Sequence, residues 1–212
     1  MPAESLAEAL HRGLSEIDGL NLAPAQETAL LSYLSLLQRW NKAYNLTAIR
    51  DPFEMVVRHV MDSLSVLPWI SGGQLLDAGT GAGLPGIPLA IATPGLEVTL
   101  LDSSGKKIRF LNHVRRELAL ENTFPVQERL ETFIPPSSFD AVISRAFTNL
   151  ASFARAVQHL APATSRLLAM KGRYPESELQ ALPDWVGVDS VEKLTVPGLQ
   201  EDRHLVIMSV NV

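Results

Sequence analysis

The chain has 212 residues, of which 46% are hydrophobic, carries a formal net charge of −5 at pH 7 and contains no cysteine. This length suits one domain with an appendage and permits a sizeable core. The absence of cysteine excludes disulfides, thiolate metal sites and thiol nucleophiles, and we expect no bound metal. Because the net charge is negative, any nucleic-acid site must be a local basic patch.

Residues 1–24 carry no motif from which we predict an element. Glu4, Glu8 and Glu16 interrupt this segment early, so it does not resemble a signal peptide. The apolar run at residues 87–92 is too short and too interrupted by proline to span a bilayer. We therefore expect a cytoplasmic protein with no membrane partner. We also expect it to be a monomer.

Two amphipathic helices are predicted next, at residues 25–42 and 53–67, because apolar side chains recur there at helical spacing. Ser71-Gly72-Gly73 then has the composition of a flexible hinge. We accordingly predict an N-terminal helical extension at residues 1–72 and a second domain at residues 73–212.

Strands and helices alternate after the hinge, which predicts an α/β fold with a doubly wound, mainly parallel, seven-stranded sheet of the Rossmann-like type. The last two strands are expected to pair with each other. Strands are predicted at residues 74–77, 98–102, 124–127, 140–143, 166–170, 185–194 and 204–210. Helices are predicted at residues 85–92, 106–118 and 150–160.

The first predicted strand runs into a glycine turn that opens a helix, which is typical of a nucleotide-binding corner. Asp102 ends the second strand 23 residues after Gly79, where such folds place an acceptor for ribose hydroxyls. The alternative is that Asp102 only caps the following helix. Two features favour S-adenosylmethionine over a dinucleotide as the ligand. The glycines stand at every second position, and Asp77 precedes them as a carboxylate for a cationic methionyl group.

The absence of several motifs limits the classes of methyl acceptor that this chain could use. No cysteine is available for attack on a pyrimidine ring or for a radical cluster. The turn after strand four reads Ser144-Arg145-Ala146-Phe147 and lacks the paired prolines of enzymes that methylate exocyclic amines. What remains is direct displacement by an acceptor that already has a lone pair, such as a ring nitrogen.

Basic residues recur on one side of the predicted helix at residues 106–118, opposite its apolar side. They are Lys106, Arg109, His113 and Arg116. A solvated polar face explains this pattern about as well as a phosphate-binding face does.

Polar residues near the sheet edge are weaker candidates. His59 and Asp62 are spaced for a hydrogen bond on a helix surface, where a cap or a contact between domains is the alternative to catalysis. Arg145 and Lys171 each follow a predicted strand, at the carboxyl edge where open α/β sheets bind ligands.

Taken together, several motifs in fixed order resemble the bacterial small-subunit rRNA guanine-N7 methyltransferase family, also called glucose-inhibited division protein B. The resemblance spans residues 30–210. The motifs are Trp40-Asn41-Lys42-Ala43-Tyr44-Asn45-Leu46-Thr47, Arg58-His59 with Asp62-Ser63, the glycine turn through Pro85-Gly86, Leu100-Leu101-Asp102-Ser103, Ser144-Arg145-Ala146, Met170-Lys171-Gly172 and Arg203-His204-Leu205-Val206.

The resemblance implies a class I methyltransferase fold and transfer of a methyl group from S-adenosylmethionine to ring nitrogen 7 of one guanine in 16S rRNA, either alone or within the small ribosomal subunit. It implies cofactor contacts at Gly79, Gly81, Leu84, Asp102, Ser103, Leu130, Glu131 and Arg145. RNA contacts are expected among Asn45, Arg58, His59, Arg145, Lys171 and Arg203. Lys107 and Leu130 depart from the family pattern, which favours arginine and a smaller residue there.

No catalytic acid or base is expected, because guanine nitrogen 7 carries no proton at neutral pH, and Arg145 is expected to position the reactants. The rate should therefore be nearly flat between about pH 6 and 9. Two other functions stay open: a methyltransferase for a small molecule or a protein, and a regulator that binds the cofactor without catalysis.

Overall fold

The computed structural model of the chain describes residues 4–71, 73–145, 147–160 and 166–210. Gly72, at the predicted hinge, and Ala146, in the turn after strand four, lie outside the described residues. The N-terminal helices are α1 (Leu6–Ser15), α2 (Pro24–Tyr44), α3 (Pro52–Met55), a π-helical segment (Val56–Met61) and α4 (Asp62–Leu64).

Helix α1 was not predicted, although its start carries a recognisable signal. Ser5 and Glu8 form a capping box, in which the Glu8 side chain accepts a hydrogen bond from the Ser5 backbone N–H at 2.7 Å and the Ser5 hydroxyl accepts one from the Glu8 N–H at 3.3 Å. Leu10 and Leu14 then bury its apolar side in the core. The first residues are therefore part of the fold.

Helix α2 is joined to the rest of the fold at two points. The Gln26 side chain donates hydrogen bonds to the carbonyl oxygens of Ile91 and Ala92, at 2.8 and 3.0 Å. The buried Tyr33 hydroxyl donates to the Ala82 carbonyl at 3.0 Å, inside the glycine turn. The N-terminal helices therefore brace the turn that forms the candidate site.

The single helix predicted at residues 53–67 differs from the structure. Its middle, Val56–Met61, is π-helical, and α4 ends at Leu64. A short 3₁₀ helix at Leu67–Trp69 follows, because Pro68 cannot continue an α-helix. Single π-helical turns inside helices occur frequently at functional sites, and this one carries Arg58 and His59.

The predicted seven-stranded sheet is confirmed, and each predicted strand end lies within one residue of its observed end. The order is β3-β2-β1-β4-β5-β7-β6; β1 to β5 pair in parallel, and β7 is antiparallel to both neighbours. The strands are β1 (Gln74–Ala78), β2 (Glu97–Asp102), β3 (Thr123–Gln127), β4 (Ala141–Ser144), β5 (Arg166–Lys171), β6 (Val186–Lys193) and β7 (His204–Val210). The remaining helices are α5 (Gly86–Ala92), α6 (Gly105–Glu117), α7 (Leu150–Val157) and α8 (Glu176–Gln180).

The sheet lies between two apolar layers, since successive side chains point to opposite faces. Leu75 packs with the N-terminal helices, α5 and α6, whereas Leu76 packs with α7 on the other face. The N-terminal helices thus share a core with the sheet. No helix in the described ranges is both long and apolar enough to cross a membrane.

Helix α6 ends in a Schellman turn with alanine where glycine is usual. Ala119 has φ +50°, and Leu120 donates its N–H to the Arg115 carbonyl at 2.9 Å. Ala119→Gly should raise the free energy of unfolding by about 1 kcal/mol, because glycine adopts this conformation without strain. Urea denaturation measures the change, and the opposite sign is expected for Ala43→Gly, at an exposed position in the last turn of α2.

Candidate active site

Two clefts open near the carboxyl ends of the parallel strands. The first, called the glycine pocket, has a volume of about 300 Å³ and is lined by Gly79, Leu101, Asp102, Ser103, Lys107, Glu128, Arg129, Leu130, Glu131 and Phe147. The second, called the basic cleft, has a volume of about 350 Å³ and is lined by Ile49, Arg58, His59, Asp62, Arg145, Met170, Lys171, Gly172, Leu194, Arg203 and His204.

The glycines of the turn after β1 have different roles. Gly79 has φ +72°, and an added Cβ there would meet no atom within 4 Å. At Gly83 a Cβ would lie 2.5 Å from Ile87, and at Gly86 it would lie 2.3 Å from Leu100. Gly79 therefore leaves open space beside the glycine pocket, whereas Gly83 and Gly86 allow the turn to pack against its own core.

Asp77 holds this turn together from inside. Its Oδ2 accepts hydrogen bonds from the Thr80 hydroxyl at 2.7 Å and from the Gly86 N–H at 2.8 Å. The carboxyl is fully buried, and burial raises its pKa to about 6. The sequence suggested Asp77 as a partner for a cationic ligand, but it does not line the glycine pocket.

Asp102 is hydrogen-bonded to the residue before α6 and also lines the glycine pocket. Its Oδ1 accepts from the N–H of Ser104, the residue before α6, at 2.9 Å, and its Oδ2 accepts from the Gly81 N–H at 3.0 Å and from Lys107 Nζ at 2.9 Å. A carboxylate has about four acceptor positions. One is thus free for a ligand hydroxyl, and Lys107 contacts the pocket's carboxylate although lysine departs from the family pattern.

The structure brings together five of the eight residues expected to contact the cofactor. Gly79, Asp102, Ser103, Leu130 and Glu131 all line the glycine pocket.

The other three residues lie elsewhere. Gly81 is one hydrogen bond away, through Asp102. Leu84 is buried in the core with its N–H bonded to the Thr80 carbonyl at 2.9 Å, and Arg145 lines the basic cleft.

A buried carboxylate, that of Asp62, organises the basic cleft, whereas the sequence suggested a hydrogen bond between Asp62 and His59. Asp62 contacts Arg145 Nη1 through Oδ2 at 3.2 Å and Arg203 Nε through Oδ1 at 3.0 Å. Arg145 Nη1 also donates to the Arg58 carbonyl at 3.1 Å. Asp62 thus fixes two guanidinium groups that come from distant parts of the chain.

His59 does not pair with Asp62. Its Nε2 lies 2.9 Å from the Thr47 hydroxyl and its Nδ1 lies 3.1 Å from the Arg58 carbonyl, so both ring nitrogens are engaged within the chain. Burial and, secondarily, the charge of Arg145 lower the pKa of His59 to about 4. The imidazole is therefore uncharged at neutral pH and joins the loop before α3 to the π-helical segment.

This histidine makes stability depend on pH. Because its pKa is about 4 in the folded protein and 6.5 for an unperturbed histidine of the unfolded chain, its contribution is complete above pH 6.5 and is lost as the pH falls toward 4. The free energy of unfolding of His59→Gln should consequently fall less than that of the wild type between about pH 7 and pH 5. Urea denaturation at both pH values tests this, and an equal fall in both proteins would contradict it.

The remaining predicted RNA contacts are distributed around the cleft. Arg58 forms two hydrogen bonds with Glu201, at 2.7 and 2.8 Å, and Lys171 Nζ lies 2.7 Å from Glu178. Asn45 ends α2 with φ +49° and does not line the cleft.

Sequence reasoning missed the acidic partners of these cations, Glu178 and Glu201, because neither follows a motif that links it to its partner. Phe147 lines the glycine pocket and packs on Phe153 with ring centroids 5.2 Å apart. Within the described ranges, no group of three or more His, Asp or Glu side chains is arranged to hold a metal ion.

The solved structures similar to this one include methyltransferases. TrmN from Thermus thermophilus matches with a TM-score of 0.57 at 17% identity, covering 82% of this chain and 52% of that chain. Magnesium protoporphyrin IX methyltransferase (ChlM) from Synechocystis PCC 6803 with bound SAH matches with a TM-score of 0.57 at 18% identity, covering 88% of this chain and 100% of that chain. These likenesses establish the class I methyltransferase fold.

Sequence comparison is more specific. The GidB family model, described as rRNA small subunit methyltransferase G, matches residues 26–206. Ribosomal RNA small subunit methyltransferase G of Salmonella arizonae is 50% identical over 193 residues, which cover 91% of this chain and 93% of that protein. The protein of the same name from Salmonella typhimurium is 51% identical over the same shares of both chains. The chain therefore belongs to the rRNA small subunit methyltransferase G family.

Proposed function

We propose that this protein transfers a methyl group from S-adenosylmethionine to ring nitrogen 7 of a specific guanine in 16S rRNA. The observation that carries the proposal is the position of the two clefts on either side of the end of β4. Arg145 lines the basic cleft, and Phe147, two residues later, lines the glycine pocket. A cofactor in one cleft and a base in the other would meet at this point.

The glycine pocket suits the adenosyl part of the cofactor. Gly79 leaves room beside the backbone, Asp102 has an acceptor position for a ribose hydroxyl, and Leu130 provides an apolar wall. When bound, S-adenosylmethionine supplies the electrophilic methyl group. We assign Ser103 and Glu131 to the rim, and we keep Gly81 and Leu84 as residues that shape the turn behind it.

The basic cleft suits the RNA. Arg145 and Arg203, fixed by Asp62, present guanidinium groups that can bind a phosphate or the major-groove edge of guanine. Arg58 and Lys171 add positive charge at the rim once RNA competes with Glu201 and Glu178. We assign His59 an indirect role through the loop that it holds, and Asn45 a place outside the cleft at the end of α2.

No residue needs to remove a proton, since guanine nitrogen 7 attacks with an existing lone pair. Alignment of the two reactants can supply most of the rate. The chain's own contribution is thus to bind, orient and exclude water, with Arg145 as the positioning residue between the clefts.

We further propose that the protein acts as a cytoplasmic monomer, with residues 1–72 as the helical extension and residues 73–212 as the methyltransferase domain. The shared core supports a role for the extension in bracing the glycine turn, as the Tyr33 hydrogen bond to Ala82 does.

Transfer of labelled methyl groups tests the function. Labelled S-adenosylmethionine is given to naked 16S rRNA, to 30S particles and to 70S ribosomes from a strain that lacks this gene. Label is expected on a single guanine of 16S rRNA in at least one of these substrates. Label on none of them would refute the proposal and favour a different acceptor or a regulator without catalysis.

A further inference from the structure

The basic residues along α6 form a surface that the two clefts do not include. Lys106, Arg109 and Arg116 are exposed on one side of the helix, with His113 between them. From Lys106 to Arg116 the stripe is about 15 Å long at the rise of an α-helix. Arg39 of α2 lies beside it, with its Nη2 3.4 Å from His113 Nε2. We call Arg39, Lys106, Arg109 and Arg116 the basic face.

Aromatic and hydrogen-bond contacts with α2 hold the basic face in place. Lys106 Nζ donates to the Tyr44 carbonyl at 3.1 Å, and the Arg109 guanidinium lies 6.0 Å from the centre of the Tyr44 ring. The rings of Trp40 and His113 are 5.2 Å apart. The face is thus built from two packed helices, and its cations are not spread over independent loops.

The cations of the basic face differ from those of the basic cleft in whether carboxylates lie beside them. In the described part of the chain, none of its four cations lies within 4.0 Å of a carboxylate, whereas Arg58, Arg145, Lys171 and Arg203 of the cleft all do. Residues 104–116 contain no Asp or Glu, although the whole chain has 23 acidic against 18 basic residues. Glu117, 3.9 Å from His113, is the first acid after the stripe.

A solvated helix face ordinarily mixes charges of both signs, because like charges three or four residues apart destabilise a helix. A single-sign stripe on an acidic protein is better explained by a polyanionic ligand. The stripe also starts beside the glycine pocket, since Lys107, the residue after Lys106, contacts Asp102 in that pocket.

We propose that the basic face is a second RNA-binding surface, which docks the ribosomal RNA backbone outside the cleft that receives the target guanine. Phosphate contacts fix register and orientation without reading sequence. Because the rest of the chain is acidic, the same asymmetry would steer RNA toward this side of the protein. This inference rests on the proposed function, since it takes ribosomal RNA as the ligand.

Charge reversal on the basic face tests it. The variant Arg109→Glu with Arg116→Glu is compared with Arg155→Glu with Arg166→Glu, which makes the same charge change at exposed positions on α7 and β5. Binding of naked 16S rRNA and of 30S particles is measured at several salt concentrations. The face variant should bind at least about tenfold more weakly than the control variant.

A milder variant keeps the test independent of folding. In the variant Arg109→Gln with Arg116→Gln, the slope of log K for RNA binding against log salt concentration should become shallower by about 1.5, as expected for two lost phosphate contacts. Binding of S-adenosylmethionine should stay within about twofold of the wild type, because none of the four cations of the basic face lines the glycine pocket.

The outcomes separate this inference from the proposed function. Equal RNA binding by the face and control variants would overturn the inference, even if the wild type methylates 16S rRNA. Conversely, weaker binding by the face variant would support it even if no methyl transfer were found, in which case the proposed function alone would fail.

Discussion

Replacing Gly79 by leucine is expected to reduce the affinity for S-adenosylmethionine at least about 100-fold while the protein stays folded. The added side chain would enter the open space beside the glycine pocket, where an added Cβ meets no atom within 4 Å. Isothermal titration calorimetry measures the affinity, and thermal unfolding measures the integrity of the fold.

Backbone strain must be separated from loss of the pocket, since Gly79 has φ +72°. Gly19 offers a matched control, because it is exposed, has φ +73° and also has no atom within 4 Å of an added Cβ. Both leucine variants should lose about 1–2 kcal/mol of stability. Only Gly79→Leu should lose cofactor binding, and equal affinities in the two variants would remove Gly79 from the site.

The central strands of the sheet were predictable because they are mostly buried on both faces and contain short apolar runs, such as Leu75-Leu76 or Leu100-Leu101. Of the two closing strands, β7 has the same pattern, whereas β6 is half-buried or exposed along most of its length. Elements that depend on local capping or strain were harder to predict. The start of α1 is marked by the capping box at Ser5 and Glu8, whereas the π-helical segment at Val56–Met61 has no sequence signature that we recognise.

The spacing of the glycines predicted some features of the turn after β1 and not others. Alternate glycines and Asp102 predicted the position of the pocket, and the family resemblance supplied the remaining lining residues that were expected. Spacing alone did not separate Gly79, which faces open space, from Gly83 and Gly86, which allow close packing. That difference depends on Ile87 and Leu100, and it appears only when the turn is folded.

The basic cleft was the least predictable part of the site. Asp62, Arg145 and Arg203 come from three distant segments, and no periodicity connects them. From the sequence, Asp62 was paired with His59 because they are three residues apart. The arginines, both charged and able to donate several hydrogen bonds, instead satisfy the buried carboxylate, while the uncharged His59 pairs with Thr47.

Replacing Arg145 by alanine is expected to lower the single-turnover methylation rate at least about 100-fold at every pH. Arg145 lies at the end of β4 between the two clefts, and its guanidinium contacts Asp62 and the Arg58 carbonyl. Its loss would leave the guanine unaligned with the methyl group. Arg145→Lys should recover only part of the rate, because an ammonium group cannot bind a planar partner in two places. Arg155→Ala, at an exposed position on α7, is the control and should keep the wild-type rate.

The pH profile distinguishes positioning from proton transfer. With His59 uncharged and no proton to remove from guanine nitrogen 7, the rate of the wild type should be nearly flat from about pH 6.5 to 9. Toward pH 6 we expect a decline, in contrast to the flat profile predicted from the sequence over this range, because the Asp77 carboxyl, with a pKa of about 6, gains a proton within the glycine turn. A steep rise through neutral pH that disappears in His59→Ala would instead identify His59 as a general base.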